Sequence, residues 1–456
     1  MAVFTTKTKG DRLALTLAWV AAAIHAAFFF ALGVVRWRAH RALVDFGLFT
    51  QVVASAFSGF SSTFEGVNHW AFHFSPILFA CAPFVLLAHS GLALTAIQSI
   101  AIALVIPPAY LIARRRTSAF RALALAGVAA IYPPLAGIDF TDFHENGFAP
   151  AATLWLLWAL DGRRWSYAYA FLAITLAIKE DQALVMGFLG LGAFFAFRRE
   201  NDRAGLRFAT IALVASLTIF VVYFALIRPL ADPLHHWQPT RFYAWRPNDL
   251  ATIGLQTLPD RLGYLALALA PLCFIPLRSR IMLFALPGFA ECLLSREHAP
   301  YTMGQHYAAL WTPYVLAAFV VAACRLRSAR LIGASAALCL VTYIVANPLH
   351  PGYFLRVPDA RDARLDARLA RLPAQVRIGT QEEAYAHLGM DRNAQVGIAG
   401  EPDFVLLDRE YPDSVWLGWT DAPLRRAVAR GRYRLDERQG GIELYRKAGP
   451  ASPRRE

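Results

Sequence analysis

The sequence predicts an all-α polytopic membrane protein carrying a small α/β domain at its C-terminal end, and three observations support that expectation. Of the 456 residues, 57% are hydrophobic and 13% aromatic, and the mean hydropathy is +0.40, more apolar than a water-exposed surface requires. Apolar stretches with polar boundaries recur through the first 350 positions. From about position 351 the composition changes abruptly, and this tail holds 16 of the chain's 32 acidic residues and 18 of its 45 basic ones.

The apolar stretches fall at about 13–35, 91–113, 120–138, 147–160, 165–178, 182–197, 206–227, 261–277, 281–294, 307–324 and 329–346, which gives about 11 transmembrane helices. The first follows Lys7, Lys9 and Arg12 and is too long for a signal-peptide core, so it reads as an uncleaved first span. A further run, 76–88, opens with Pro76 and is only about 20 Å long as a helix, against roughly 30 Å of hydrocarbon.

Charge decides how that run is read. If 76–88 lies in the interface, then Arg114 to Arg116, Arg163 with Arg164, Arg198 with Arg199, Arg278 with Arg280 and Arg325 with Arg327 are all cytoplasmic. Under this topology the first 349 residues place 18 Lys and Arg inside against 9 outside, and 4 Asp and Glu inside against 12 outside. The N-terminus is then cytoplasmic and the tail extracytoplasmic. The net charge of +13 is explained by these short basic clusters between apolar runs, so no nucleic-acid partner is expected. The five cysteines lie in or beside apolar segments with no C-x-x-C spacing, which excludes a disulfide framework or a zinc ribbon.

The expected organisation is a transmembrane domain over 1–349 with interfacial helices at about 42–88, a soluble α/β domain over 350–449, and a disordered end at 450–456. Within the tail, 376–378 and 404–407 read as strands, and 382–388 and 423–430 as helices. Residues 433–437 and 442–446 flank Arg438-Gln439-Gly440-Gly441 as a hairpin, and 361–371 is a charged helix-like connector.

Four clusters of ionisable residues interrupt the apolar body, and the topology places all of them on the extracytoplasmic side. Each such group costs roughly 2.5 to 3.5 kcal/mol near a helix centre, so their convergence on one face points to a reaction site. Asp45 lies beyond the first span in a stretch that reads as an interfacial amphipathic helix. Restricted hydration there suits it to act as a general base, while a helix cap is the simpler alternative. His69 and His73, four apart, share a face if they are helical, a spacing that suits a metal or a phosphate.

Asp139, Asp142, His144 and Glu145 crowd one short boundary loop, where metal, sugar-hydroxyl or phosphate contacts are all open. Lys179, Glu180 and Asp181 join two apolar runs with almost no loop. There Lys179 is either a cation for an anionic lipid headgroup or the partner of a carboxylate. Arg241 and Arg246, set among Trp237, Phe242, Tyr243 and Trp245, are candidates to clamp a phosphate, although the aromatics read better as an interfacial belt. Arg296, Glu297, His298, Gln305 and His306 form another outer-loop set. The letters Asp45-Phe46-Gly47 lack the companion motifs of a kinase, and neither histidine cluster spells H-E-x-x-H.

VDFGLFTQ at 44–51, NHWAFHFSPILFACAP at 68–83, DFHENGFAP at 142–150 and IKEDQAL at 178–184 resemble a family of bacterial polytopic membrane proteins of unknown function, related to the GT-C clan of glycosyltransferases. AHLGMDR at 386–392 and PDFVLLDRE at 402–410 extend the resemblance into the tail. The clan implies a GT-C-like fold in the bacterial inner membrane, a polyprenyl-phosphate-linked sugar as donor, inversion at the anomeric carbon, and a first-loop carboxylate that activates the acceptor. By position that carboxylate is Asp45, with Asp142 and Glu145 as further catalytic candidates.

His69, His73, Asp139, His144, Lys179, Glu180, Asp181, Arg241 and His306 are then candidates for substrate binding. The first loop lacks the clan's Asp-x-Asp pair, which leaves open whether a divalent cation, Mg or Mn, takes part. The alternative is a transporter or lipid-handling protein without covalent chemistry. Such proteins usually place ionisable groups near the midplane between repeats, and no internal repeat is visible here.

Overall fold

The computed structural model describes residues 9–233, 242–349, 355–373, 375–391, 393–411 and 414–448. The chain is mostly helical with one small sheet near its C-terminal end. It divides into two compact units. The first comprises residues up to 32, 70–80 and 95–350, and the second comprises 33–69, 81–94 and 351 onward. Among the described residues, three helices are long and apolar enough to cross a membrane, Lys9–Arg38, Leu92–Arg114 and Arg203–Ala231. A fourth candidate, Ala119–Ala130 with Pro133–Phe140, is bent by 49°.

The bend follows from chemistry. Pro133 and Pro134 open the second piece, and the residue before a proline is driven out of the α region, as Tyr132 is at ψ 119°. Other apolar runs of the sequence are built from shorter pieces. The run at 261–277 breaks after Leu269, where Cys273 and Phe274 both adopt positive φ, and the run at 281–294 holds the eight-residue helix Leu286–Leu293.

Within the first unit the helix Thr312–Leu326 lies at the centre. Every residue from Thr312 to Cys324 is buried, as expected of a helix that is apolar all round. It packs against Ala149–Asp161 and Ile106–Arg114, while Asp181–Arg199 and Arg203–Val222 pair as a hairpin. That hairpin turns at Asn201, in the left-handed region, and Asp202 caps the second helix by accepting from Ala204 N and Gly205 N, both at 3.1 Å. Charged groups at the helix ends meet in pairs: Arg114 Nε donates to Asp11 Oδ1 at 2.7 Å, and Arg115 to Asp161 at 2.8 Å.

In the second unit the sheet has the order β2-β1-β3-β5-β4, with β1 (Ile378–Thr380), β2 (Ala394–Val396), β3 (Phe404–Asp408), β4 (Tyr433–Gln439) and β5 (Ile442–Lys447). β1 runs parallel to both neighbours, and β5 runs antiparallel to both β3 and β4. Period-two alternation supplies a core on each side. Phe404 and Leu406 face Leu365 and Ala384, whereas Val405 and Leu407 face Leu424 and Ala427. The helix Glu382–His387, the connector helix Ala360–Leu369 and the 433–447 hairpin agree with the sequence reading, the helix Val415–Ala429 starts eight residues before the 423–430 read for it and carries Pro423 inside, and β2 has no counterpart in the reading.

This unit also holds the helix Val44–Ala54, whose residues Phe46 to Val53 are all buried. Gln51 is its polar anchor. Its amide nitrogen donates to Asp391 O at 2.7 Å and Ala394 O at 2.9 Å, and its oxygen accepts from Thr63 N at 2.8 Å and Tyr385 Oη at 2.8 Å.

In the first unit, Gly137 approaches Gly304 so closely that a Cβ on Gly137 would stand 2.5 Å from the Gly304 Cα. Gly137→Ala is therefore expected to cost about 1–3 kcal/mol through backbone displacement, read as a lower thermal midpoint in detergent. An unchanged midpoint would mean that the two backbones part freely.

Candidate functional site

In the first unit, the loop that carries Asp139, Asp142, His144 and Glu145 is shaped by Gln98. Its amide nitrogen donates to Ile138 O at 3.1 Å and Asp139 O at 3.0 Å, and its oxygen accepts from His144 N at 2.9 Å. One side chain thus satisfies the carbonyls left at the end of the helix Pro133–Phe140 and starts the 3₁₀ turn Glu145–Phe148. Asp139 turns into the helices, accepting from Ser99 Oγ at 2.7 Å and standing 3.4 Å from His25 Nε2. His144 lays its ring on His306, with centroids 3.5 Å apart and planes 17° off parallel.

The second loop is shorter still. The helix Trp165–Leu176 ends at Ala177, Ile178 is fully buried, and Asp181 already opens the next helix, where a carboxylate complements the helix dipole. The charges of Lys179 and Glu180 are therefore held inside the protein. Lys179 Nζ stands 3.5 Å from Glu145 Oε1 and 3.9 Å from Asp181 Oδ2, and Asn146 Nδ2 donates to Asp181 Oδ2 at 3.3 Å. Glu180 accepts from Phe74 N at 2.9 Å and lies 2.9 Å from His73 Nδ1. The Ile77 N–H donates to Ala177 O at 2.8 Å and ties the 70–80 segment to this loop.

Electrostatics sort the members. Burial works against the Glu180 carboxylate, but His73, Lys179 and the Phe74 N–H outweigh it and hold its pKa down to about 2. Burial likewise disfavours the Lys179 ammonium, and Glu145, Asp181 and Glu180 together raise it well above its ordinary value. His306 is driven the other way. Burial, reinforced by His144, Lys179 and His73, keeps its imidazole neutral. The result is a permanent cation ringed by carboxylates beside a stacked imidazole pair.

Within one unit the structure forms three contact sets, His73 with Glu180, Lys179 with Glu145 and Asp181, and His144 with His306, and the last lies near enough to Lys179 and His73 to feel their charge. Asp142 lies in the same loop, and its carbonyl oxygen lies 2.9 Å from His144 Nδ1, whereas Asp139 belongs to a separate pair with His25.

Asp45 and His69 belong to the second unit. Asp45 is half-buried in the first turn of its helix, and the capping position is Leu43, which makes no side-chain cap. His69 pairs with Glu65 at 2.7 Å. The shared helical face read for His69 and His73 is corrected: helix stops after the three-residue 3₁₀ turn His69–Ala71, and residues 73–75 have no regular structure. Arg241 lies outside the described residues.

Two members escape sequence reasoning. His25 is a lone imidazole in the first apolar run. Glu291, within another such run, stands near enough to Asp181, Lys179 and Glu180 to feel their charge. An ionisable residue inside an apolar run is the signal that finds both.

A divalent cation does not fit the first-unit cluster as arranged, because the Lys179 ammonium already stands between Glu145 and Asp181. Among the described residues, His40, Asp366 and His387 in the second unit have potential ligand atoms within 4.8 Å of one another, but the two rings stack face to face, which does not aim their lone pairs at one ion; none of the three is a sequence candidate.

A family described as predicted membrane protein (DUF2079) matches residues 40–372, well over half of the chain. The chain belongs to the DUF2079 family. No curated protein matches it by sequence. Among solved structures, this DUF2079 protein is similar to ArnT from Cupriavidus metallidurans bound to undecaprenyl phosphate, with a TM-score of 0.55 and 12% identity, over 93% of this chain and 99% of that one. It is also similar to the same protein in the apo state, with a TM-score of 0.52 and 12% identity, over 94% of this chain and 100% of that one. The fold is therefore ArnT-like, and the family description places the chain among membrane proteins. At this identity the likeness establishes fold alone.

Lys179→Met leaves three carboxylates buried beside an apolar side chain. It is expected to destabilise the protein by about 3–5 kcal/mol, measured by thermal unfolding in detergent. Adding Glu145→Gln is expected to return about 0.5–3 kcal/mol of that loss. Strict additivity of the two changes would show that the pair is not coupled.

Proposed function

We propose that this DUF2079 protein is an integral membrane glycosyltransferase that moves a sugar from a polyprenyl-phosphate donor to an acceptor at the extracytoplasmic face of the bacterial inner membrane. The observation that carries the reading is the buried cluster of Lys179, Glu145, Glu180, Asp181, His73 and the His144–His306 pair on a GT-C-like fold. Packing alone requires none of these charges, and each is costly in an apolar body.

In the proposed reaction Asp45 takes the proton from the acceptor hydroxyl, whose oxygen forms the new bond at the anomeric carbon as the bond from that carbon to the phosphate oxygen breaks. The departing polyprenyl phosphate keeps the electron pair, and Lys179, His73 and Arg241 supply positive charge to stabilise it. Asp142 and Glu145 assist catalysis, and His69, Asp139, His144, Glu180, Asp181 and His306 serve substrate binding. Inversion follows from the clan. The division into a transmembrane part over 1–349, a soluble part over 350–449 and about eleven spans belongs to the same proposal. The pairs Arg114–Asp11 and Arg115–Asp161 support its topology by gathering, within the first unit, groups assigned to the cytoplasmic side.

Asp45→Asn is expected to lower sugar transfer in reconstituted vesicles by about 10²- to 10⁴-fold with expression and thermal midpoint unchanged. Transfer at the wild-type rate would remove Asp45 from the mechanism. The orientation is checked at two exposed positions. A cysteine replacing His298 should react with an impermeant maleimide from outside intact cells, and one replacing Arg163 only after permeabilisation.

A further inference from the structure

We propose that the loop 59–68 of the second unit forms a binding site for a neutral saccharide, whether or not the chain transfers sugar. The loop follows the helix Val44–Ala54 and turns through positive φ at Gly59 (135°), Phe60 (47°) and Gly66 (72°). It closes on itself. Ser61 and Asn68 form an antiparallel bridge, His69 N donates to Phe60 O at 2.8 Å, and Asn68 Nδ2 donates to Gly59 O at 2.7 Å. At its entry Ser55 Oγ accepts from Ser61 N and donates to Ser61 O, both at 2.9 Å.

Side chains behind the loop hold it in shape. The Glu65 carboxylate lies 2.7 Å from His69 Nδ1 and accepts from Ser62 Oγ at 3.1 Å, so its charge is already answered within the loop. Thr63 Oγ1 donates to Gln51 Oε1 at 2.9 Å and lies 3.5 Å from Tyr385 Oη. A loop fixed before any ligand arrives lowers the ordering cost of binding. Ser61 Oγ, by contrast, makes no hydrogen bond among the described residues, although both polar groups of its backbone are engaged.

The loop borders a cleft of about 360 Å³ lined by Gln51, Ser61, Ser62, Thr63 and Asn68, with two glycines and a valine completing the wall. That volume falls within the range of small-molecule sites, roughly 300–1,000 Å³. Among the described residues that line it, none is charged. A phosphate would call for a basic group and a divalent cation for carboxylates, and a lipid chain would call for apolar walls. Hydroxyls and amides that both donate and accept match a ligand whose own groups do the same, as the hydroxyls of a sugar ring do. Beside the cleft, between the lining residues Thr63 and Gly66 in sequence, Phe64 is 39% exposed and meets Trp416 edge to face, with centroids 5.6 Å apart. Trp416 in turn meets Trp419 at 4.8 Å, and Trp419 is 64% exposed. The C–H face of a sugar ring packs on the electron-rich face of such a ring, and exposed aromatic clusters of this kind mark interaction sites. The cleft thus supplies hydrogen bonds to a saccharide, and the aromatic cluster supplies a stacking surface.

The test uses the full-length protein in phosphatidylcholine nanodiscs, since alkyl-glycoside detergents present a competing sugar. Maltotriose, mannotriose and triacetylchitotriose are each titrated to about 10 mM by isothermal calorimetry. At least one of the three should bind saturably. Ser61→Ala removes one neutral hydrogen bond and should weaken that binding about 2- to 13-fold, and Phe64→Ala should weaken it at least as much. Neither side chain is buried, so the thermal midpoint of both variants should match the wild type. Inorganic phosphate at the same concentration should not displace the sugar. No saturable binding of any of the three, variants that bind as the wild type does, or displacement by phosphate would overturn the proposal.

Discussion

Burial of charge governs this molecule more than any other interaction. The loop between the helices Trp165–Leu176 and Asp181–Arg199 is so short that Lys179 has nowhere to place its ammonium except inside the protein. In a medium of low polarity that cation is tolerable only with carboxylates beside it, and Glu145 and Asp181 provide them from two sides. Glu180 in turn draws on His73 and the Phe74 N–H. The loop at 138–148 must therefore sit where its acids meet Lys179, and Gln98 and the Gly137–Gly304 approach hold it there. The cluster is a consequence of connectivity as much as of side-chain choice.

The same rule operates in the second unit with neutral groups. Gln51 is buried in the helix Val44–Ala54, and every polar atom of its amide is satisfied by the loop at 63 or by the segment from Tyr385 to Ala394. Residues 33–69, far from the tail in sequence, thereby share its core. The sheet needs no such device. Its strands alternate two apolar faces, and helices from the same unit cover both. Polar anchoring is concentrated where segments distant in sequence meet.

The first unit holds a lysine ammonium and a neutral imidazole in an apolar body without freedom to reorganise, the kind of preorganised charge on which the proposed transfer would draw. The neutral His306 beside His144 and the permanently charged Lys179 show two imidazole and amine environments tuned in opposite directions by burial and by neighbouring charge. Such divergence between adjacent ionisable groups is a common mark of functional sites.

The sequence by itself determined the class of the molecule, because composition and apolar periodicity report solvent preference directly. It also determined most of the tail's elements and its hairpin, because alternation and turn residues are local signals, but it missed the short strand Ala394–Val396. It singled out the loops that carry buried charge, since ionisable residues at apolar boundaries are expensive wherever they occur. The pairing of those residues was decided only by tertiary structure. Lys179 with Glu145 and His73 with Glu180 join positions far apart in the chain, and the separation of His69 from His73 reversed a local inference once the chain proved not to be helical there. His25 and Glu291 stand out as ionisable letters inside apolar runs, but nothing local names their partners. Each is a single polar letter whose meaning depends on which other segment folds against it, and contact between distant segments is the quantity that periodicity does not encode.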